Sequence, residues 1–256
     1  MITIVAYVAS RNPQSQTLRS VRLMQNAVSK IIDAEWVILT PNDTTILPSD
    51  GTASEFFTGV DHVEMSGRDD STRIKKSIEQ CDYLILGSPT YGHNVSGDMK
   101  ILMDRLTYWS HLFYLAGKPG MAIVSATTNG FLEVGELMER FMESLGVIID
   151  ETAYHTTFTP FDEVMADRIA AVIAQTLNES WGGAVSKTSE GQELAFQSYK
   201  RDCARRDGND AESRYWREHG MFDCAMFHEY VETLKERQKL TESVHTEWKE
   251  GAFHER

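Results

Sequence analysis

Residues 2–9, Ile-Thr-Ile-Val-Ala-Tyr-Val-Ala, form an almost unbroken β-branched and apolar run. A strand with one wet face alternates polar and apolar residues. A continuous run suits a strand covered on both faces, as in a parallel sheet flanked by helices. Shorter runs of the same kind follow at Trp36–Leu39, Tyr83–Gly87, Met121–Val124 and from Val147, the last extending toward Phe158. Apolar residues at helical spacing lie between them, over 17–32, 97–115, 132–145 and 161–181. A further helix over 71–80 is predicted to start at a cap on Asp70 or Ser71. Residues 40–60, rich in Pro, Asp, Thr, Ser and Gly, read as a long loop or insertion. Five strands alternating with helices predict an α/β fold with a doubly wound five-stranded parallel sheet. Ligands of such sheets sit beyond the carboxyl ends of the strands. The segments Ser10–Thr17, Ser88–Ser96 and Ser125–Gly130 are therefore expected to converge.

Gly182-Gly183 reads as a boundary between a body, 1–183, and a helical extension, 184–256. In the extension, Phe227, Tyr230, Val231 and Leu234 follow an i, i+3, i+4, i+7 pattern, and Ala195, Phe196, Tyr199 and Cys203 suggest another helix. Such helices suit packing on the body or on a second subunit, or a lid over the site. The aromatic stretch Tyr108–Tyr114 reads as a packing or dimer face.

Composition narrows the classes. The formal net charge is −13, a poor match for nucleic acid or an anionic bilayer. No apolar run approaches 18 residues, so no membrane association is expected. The start of the chain reads as a strand and not as a leader peptide. Cys81, Cys203 and Cys224 are widely spaced and odd in number, which suits a reducing cytoplasm. The eight histidines are scattered without a metal-binding spacing, and GxSxG is absent, so neither a zinc site nor a serine hydrolase is expected.

Three loops carry the chemistry. In Ala9-Ser-Arg-Asn-Pro-Gln-Ser-Gln-Thr17 the hydroxyls of Ser10, Ser15 and Thr17, the Gln16 amide and the Arg11 guanidinium stand at a strand-to-helix turn. Helix-end amides there would suit a phosphate. The same loop also reads as simple capping by Ser15. It matches neither GxxxxGK[ST] nor GxGxxG. In the second loop Pro89 and Gly92 hold a turn, Thr90, His93, Asn94 and Ser96 offer polar groups, and Tyr91 offers a flat face. That mixture fits a flat heteroaromatic ligand. The third loop, Ser125-Ala-Thr-Thr-Asn-Gly130, is small and polar and leaves room for something bulky. Asp98 and Asp104 read as solvated or helix-packing charges.

The segment SPTYGHNVSGDMKILMDR (Ser88–Arg105) resembles the SPTY-x-x-N-x-SG-x-MK-x-x-x-DR signature of NAD(P)H-dependent FMN reductases. That superfamily has a flavodoxin-like fold and includes iron–sulfur flavoproteins and quinone reductases. The first loop is similar to its phosphate loop, GSPRxxGNT, with Ala9 and Ser15 in place of the two glycines. The resemblance covers roughly residues 1–180. It implies that Ser10, Gln16 and Thr17 hold the FMN phosphate, with Arg11 or Ser15 assisting. It implies further that Pro89, Thr90, Tyr91, Gly92 and Asn94 line the isoalloxazine, beside His93, and that Ser125, Thr127, Thr128, Asn129 and Gly130 close its other side. Residues 40–80 hold no cysteine, so no iron–sulfur cluster is expected. The implied function is an FMN-dependent oxidoreductase taking electrons from NAD(P)H to a small acceptor such as a quinone or flavin. Assembly as a homodimer or homotetramer is implied by the same resemblance. The alternatives are a flavodoxin-like electron carrier without its own NAD(P)H reaction, and a scaffold that has lost FMN.

Overall fold

The computed structural model describes residues 1–178 and 188–238. Five parallel strands carry the fold: β1 (Ile2–Val8), β2 (Ala34–Leu39), β3 (Tyr83–Tyr91), β5 (Pro119–Ser125) and β6 (Ile148–His155), with a two-residue β4 (Asn94–Val95) paired to β3. Their order is β2-β1-β3-β5-β6. The order reverses direction between β1 and β3, which puts the switch point where the first and second loops leave the sheet. The flavodoxin-like doubly wound architecture expected from the sequence is what forms, with the antiparallel β4 as an addition.

Helices cover both faces. α1 (Gln16–Val28) and α7 (Glu163–Asn178) bury Val21, Met24, Ile169 and Ile173 against the inner residues Ile4, Ala6, Ile85 and Ile123. On the other face α4 (Ser71–Gln80), α5 (Gly97–Leu112) and α6 (Phe131–Ser144) pack Ile74, Ile78, Leu102, Leu106 and Met138 on Val5, Leu84, Leu86 and Val124. Alternate strand residues thus feed the two cores, the physical origin of the unbroken apolar runs.

Several boundaries differ from the sequence expectation. α1 stops at Val28, short of Ile32, where the bonding tightens into turns: the Lys30 amide donates to the Ala27 carbonyl at 3.2 Å and the Ile31 amide to the Val28 carbonyl at 2.8 Å. α5 ends at Leu112, where Phe113 adopts φ 45°, a left-handed cap that terminates the helix before Leu115. α7 begins at Glu163 and β6 stops at His155. The loop at 40–60 contains the short helix α2 (Ser54–Thr58), followed by α3 (His62–Met65). α4 is entered at Asp70 as foreseen, yet the side chain that serves its first turn is that of Asp69, which accepts from the Ser71 amide at 3.1 Å.

The extension folds as α8 (Glu190–Arg205), α9 (Ala211–Glu218) and a helical stretch over 227–238. α8 opens on a reciprocal capping box between Ser189 and Gln192. Phe196, Trp216, Phe227 and Tyr230 form a third core with Leu112, Phe113 and Ile148. Trp216 Nε1 donates to the His111 carbonyl at 2.9 Å. These contacts lie at the end of α5 and the start of β6, so the described extension seats against the amino-terminal edge of the sheet. It does not cover the carboxyl edge as a lid. Tyr108–Tyr114 is used in the same packing, with Trp109 and Tyr114 stacked at 4.4 Å. The Gly182-Gly183 boundary lies outside the described residues. Among the described residues, no helix is long and apolar enough to cross a membrane.

Candidate functional site

The three loops meet at the carboxyl edge around a cavity of about 520 Å3. It falls within the roughly 300–1,000 Å3 typical of cofactor clefts.

The first loop is set by its own hydrogen bonds. Ser15 caps α1, its Oγ accepting from the Leu18 amide at 3.3 Å, and Asn12 Oδ1 accepts from the Gln14 amide at 2.9 Å. Ser10, Ser15 and Gln16 line the cavity. Thr17 is fully buried and forms the wall behind them: its Oγ1 lies 2.6 Å from Ser125 Oγ, tying the first loop to the third. Arg11 does not line the cavity. Its guanidinium grips Asp98 with two bonds, Nε to Oδ2 at 3.0 Å and Nη2 to Oδ1 at 2.7 Å. Asp98, read from sequence as solvated or helix-packing, is thus the anchor of Arg11.

The second loop is more ordered than its polar sequence suggests. β3 runs through Ser88-Pro-Thr-Tyr91, and Thr90↔Val95 and Tyr91↔Asn94 pair as a hairpin. Gly92 (φ 56°) and His93 (φ 58°) form its two-residue turn. Two successive positive φ values are those of a type I′ turn, whose twist matches paired strands. Ser88 Oγ accepts from the Ser96 amide at 3.0 Å, and Ser96 Oγ donates to the Ala9 carbonyl at 2.7 Å, fixing the hairpin to the first loop. Pro89, Thr90 and Tyr91 face the cavity, whereas Gly92, His93 and Asn94 form the tip beyond it. Tyr91 is 59% exposed, leaving its ring available.

Ser125 and Thr127 of the third loop line the cavity. Thr128, Asn129 and Gly130 lead away to α6. Gly130 has φ 77°, and a Cβ there would stand 3.0 Å from Thr90 Cγ2 and 3.1 Å from His93 Cα. The turn and the third loop therefore touch at Gly130, where a side chain would not fit without a shift. His93 Nδ1 lies 3.3 Å from Glu133 Oε1, a second link between the same segments.

A fourth segment, after β6, was not anticipated. His155, Thr156, Thr157 and Pro160 complete the cavity, and Arg19 of α1 adds a cation. His155 Nδ1 accepts from the Phe161 amide at 3.0 Å, which places the ring proton on Nε2. Burial, with Arg19 nearby, pushes the His155 pKa down, so the ring is neutral near pH 7. The Ala126 amide donates to the His155 carbonyl at 2.9 Å and the Thr157 amide to the Thr127 carbonyl at 3.1 Å, joining the loops after β5 and β6. A fixed pair of adjacent parallel strands signals this convergence only through topology, since the segment has no motif of its own.

The cavity suits a phosphorylated heteroaromatic cofactor on three counts. Among the described residues its lining contains hydroxyls, amides, Arg19 and neutral His155 but no carboxylate, in a chain of net charge −13. Thr90 Oγ1 is buried at its wall without a hydrogen-bond partner, a cost unless a ligand supplies one. The first turn of α1, which carries no acidic residue, opens onto it. Replacing Thr17 with Val keeps the side-chain shape and removes its bond to Ser125. Leaving that buried hydroxyl unpaired is expected to cost about 1–3 kcal/mol of stability, readable by urea denaturation beside the wild type.

A parallel sheet in this order, with helices on both faces and a neutral-to-cationic cleft at its carboxyl edge, defines a flavodoxin-like fold. The chain belongs to the NADPH-dependent FMN reductase family, whose profile matches residues 2–158. Among curated proteins it is similar to an iron–sulfur flavoprotein of Archaeoglobus fulgidus, 37% identical over 82 residues, 32% of this chain and 37% of that one. It is also similar to an iron–sulfur flavoprotein of Methanocaldococcus jannaschii, 31% identical over 133 residues, 50% of this chain and 64% of that one. The chain thus spans less than two thirds of the length of either relative. Of solved structures, RosB with a bound 8-demethyl-8-formylriboflavin-5′-phosphate intermediate matches at TM-score 0.54 and 14% identity, over 70% of this chain and 81% of that one. The apo NADH:FMN oxidoreductase EMOB matches at TM-score 0.52 and 16% identity, over 75% of this chain and 96% of that one. At such identities the likeness concerns the fold.

Proposed function

We propose that this protein is an FMN-dependent oxidoreductase that takes electrons from NADH or NADPH and delivers them to a small acceptor such as a quinone or a flavin. The observation that carries this reading is the cavity at the carboxyl edge, lined among the described residues by no carboxylate and bounded by the loops after β1, β3, β5 and β6. Bound FMN would supply hydride and electron-transfer chemistry that no side chain here offers. The chain's own work is binding and orientation. Ser10, Ser15 and Gln16, with the first amides of α1, would hold the phosphate. Thr90, Tyr91 and Thr127 would flank the ring, the unpartnered Thr90 hydroxyl meeting a polar atom of its edge. His155, with its proton on Nε2, would donate a neutral hydrogen bond into the cleft. Thr17 and Ser125 hold these loops at fixed spacing.

The test is direct. Purified protein loaded with FMN should show the absorbance of bound oxidised flavin, and mixing with NADH or NADPH without oxygen should bleach it within seconds. A bound flavin that neither nucleotide bleaches would instead indicate an electron carrier. Failure to retain FMN at all would indicate a scaffold without the cofactor.

A further inference from the structure

A second groove, of about 370 Å3, lies along the outer face of α1. It shares Gln14, Ser15, Gln16 and Arg19 with the cavity described above, so the two are contiguous across the first turn of the helix. Beyond that shared edge its wall changes character. Pro13, Leu18 and Leu23 give an apolar floor, Asn26 adds an amide, and Arg22 adds a second guanidinium one turn after Arg19. Among the described residues no carboxylate lines it, and α1 holds no acidic residue anywhere along Gln16–Val28.

The contrast with other arginines is informative. Arg11 is committed to Asp98, Arg105 to Asp61 and Asp69, and Arg168 to Glu151. Among the described residues, Arg19 and Arg22 have no carboxylate partner. Among the described residues, a chain with excess acid thus leaves two cations without a carboxylate on one helix face, beside the Ser10–Thr17 loop. An apolar floor, amides able to read a base edge and paired guanidinia are the requirements of a nucleotide carrying more than one phosphate.

We propose that this groove receives the adenosine end of NADPH, with Arg19 at the pyrophosphate and Arg22 at the adenosine 2′-phosphate. The order follows from connectivity. A dinucleotide leaving the flavin cavity passes the shared Arg19 first and reaches Arg22 only in the outer groove. The assignment rests on the oxidoreductase reading and makes NADPH the preferred donor. Arg22 is then a specificity-determining residue.

The test uses the FMN-loaded protein and two measurements. In calorimetric titration, 2′,5′-ADP should bind at least about tenfold more tightly than 5′-AMP, as expected for one added charge-assisted phosphate contact at a partly exposed site. Arg22→Gln should bring the two ligands together. In steady-state kinetics the NADPH-to-NADH ratio of kcat/KM should fall about tenfold in Arg22→Gln, with the fall carried by KM for NADPH. Unchanged 2′,5′-ADP binding and an unchanged ratio would overturn the assignment. The two readings fail separately. If neither nucleotide reduces the flavin while 2′,5′-ADP still binds through Arg22, the groove stands and the donor reaction does not. If both nucleotides reduce it equally and 2′,5′-ADP does not bind, the reaction stands and the groove does not.

Discussion

Gln16→Glu is expected to weaken FMN binding by about 10–100-fold while leaving the protein as stable as the wild type or slightly more so. The two side chains have the same shape, and Gln16 is exposed at the first position of α1, so packing changes little. A carboxylate in the first turn interacts favourably with the helix dipole, by about 0.3–1 kcal/mol. Against a phosphate it acts with the opposite sign. Two unit charges about 4 Å apart repel by roughly 4 kcal/mol at an effective dielectric near 20, and less where water screens them. About 1–3 kcal/mol of lost binding remains, hence the expected range. Stability and affinity moving in opposite directions separates a phosphate site from a mere helix cap. Flavin-fluorescence titration and thermal melting of the same samples read the two quantities. Equal FMN affinity in both proteins would remove the phosphate from this loop.

The second large effect lies away from the cavity. Arg105, its side chain 1% exposed, donates to Asp69 Oδ2 at 2.6 Å, Asp61 Oδ2 at 2.9 Å, Ser71 Oγ at 2.9 Å and the Leu47 carbonyl at 2.9 Å. This one guanidinium gathers the long connection between β2 and α4 onto α5. Burial by itself would raise the Asp69 carboxyl, but bonds from Ser71, the Leu47 amide and Arg105 outweigh it and hold the group at about 2. A depressed folded-state value means that its ionised form stabilises the fold above about pH 4, its unfolded value. That contribution is lost as pH falls from there toward 2. Arg105→Met should therefore cost about 3–5 kcal/mol, because it leaves the buried Asp69 carboxylate without a cation and leaves Asp61 only Lys75, at 3.0 Å. For a chain of this size, the corresponding fall in Tm is roughly 10 °C. Adding Asp69→Asn to Arg105→Met should recover part of the loss, since an uncharged partner no longer needs the cation. A Tm within 2 °C of wild type (roughly 1 kcal/mol) for Arg105→Met alone would show that the connection is held by other contacts.

Much of this was legible in the sequence, for identifiable reasons. Runs such as Ile4–Val8 are apolar on both faces because two helical layers cover them, so the parallel sheet and its loops could be read in advance. The hairpin at Thr90–Val95 could not. Its residues are polar, and it depends on Gly92 and His93 taking positive φ, which His93 does only when the surrounding contacts require it. Arg11 looked available for phosphate because its partner, Asp98, is 87 positions away. Thr17 looked like a ligand and serves as a strut, since its hydroxyl faces Ser125. His155 carried no motif and enters the cavity only because β6 lies next to β5. α9 was hidden by its polar composition, its burial resting chiefly on Trp216 and on Glu212, which is held between His111 and Arg206.

The central claim is that loops from separate strands make one flavin cleft at the carboxyl edge. A crystal structure of the protein with FMN tests it most directly. The phosphate should lie within hydrogen-bonding distance of Ser10, Ser15 or Gln16, with the ring between Tyr91 and Thr127. A flavin bound at any other place, or a phosphate away from the start of α1, would contradict the account.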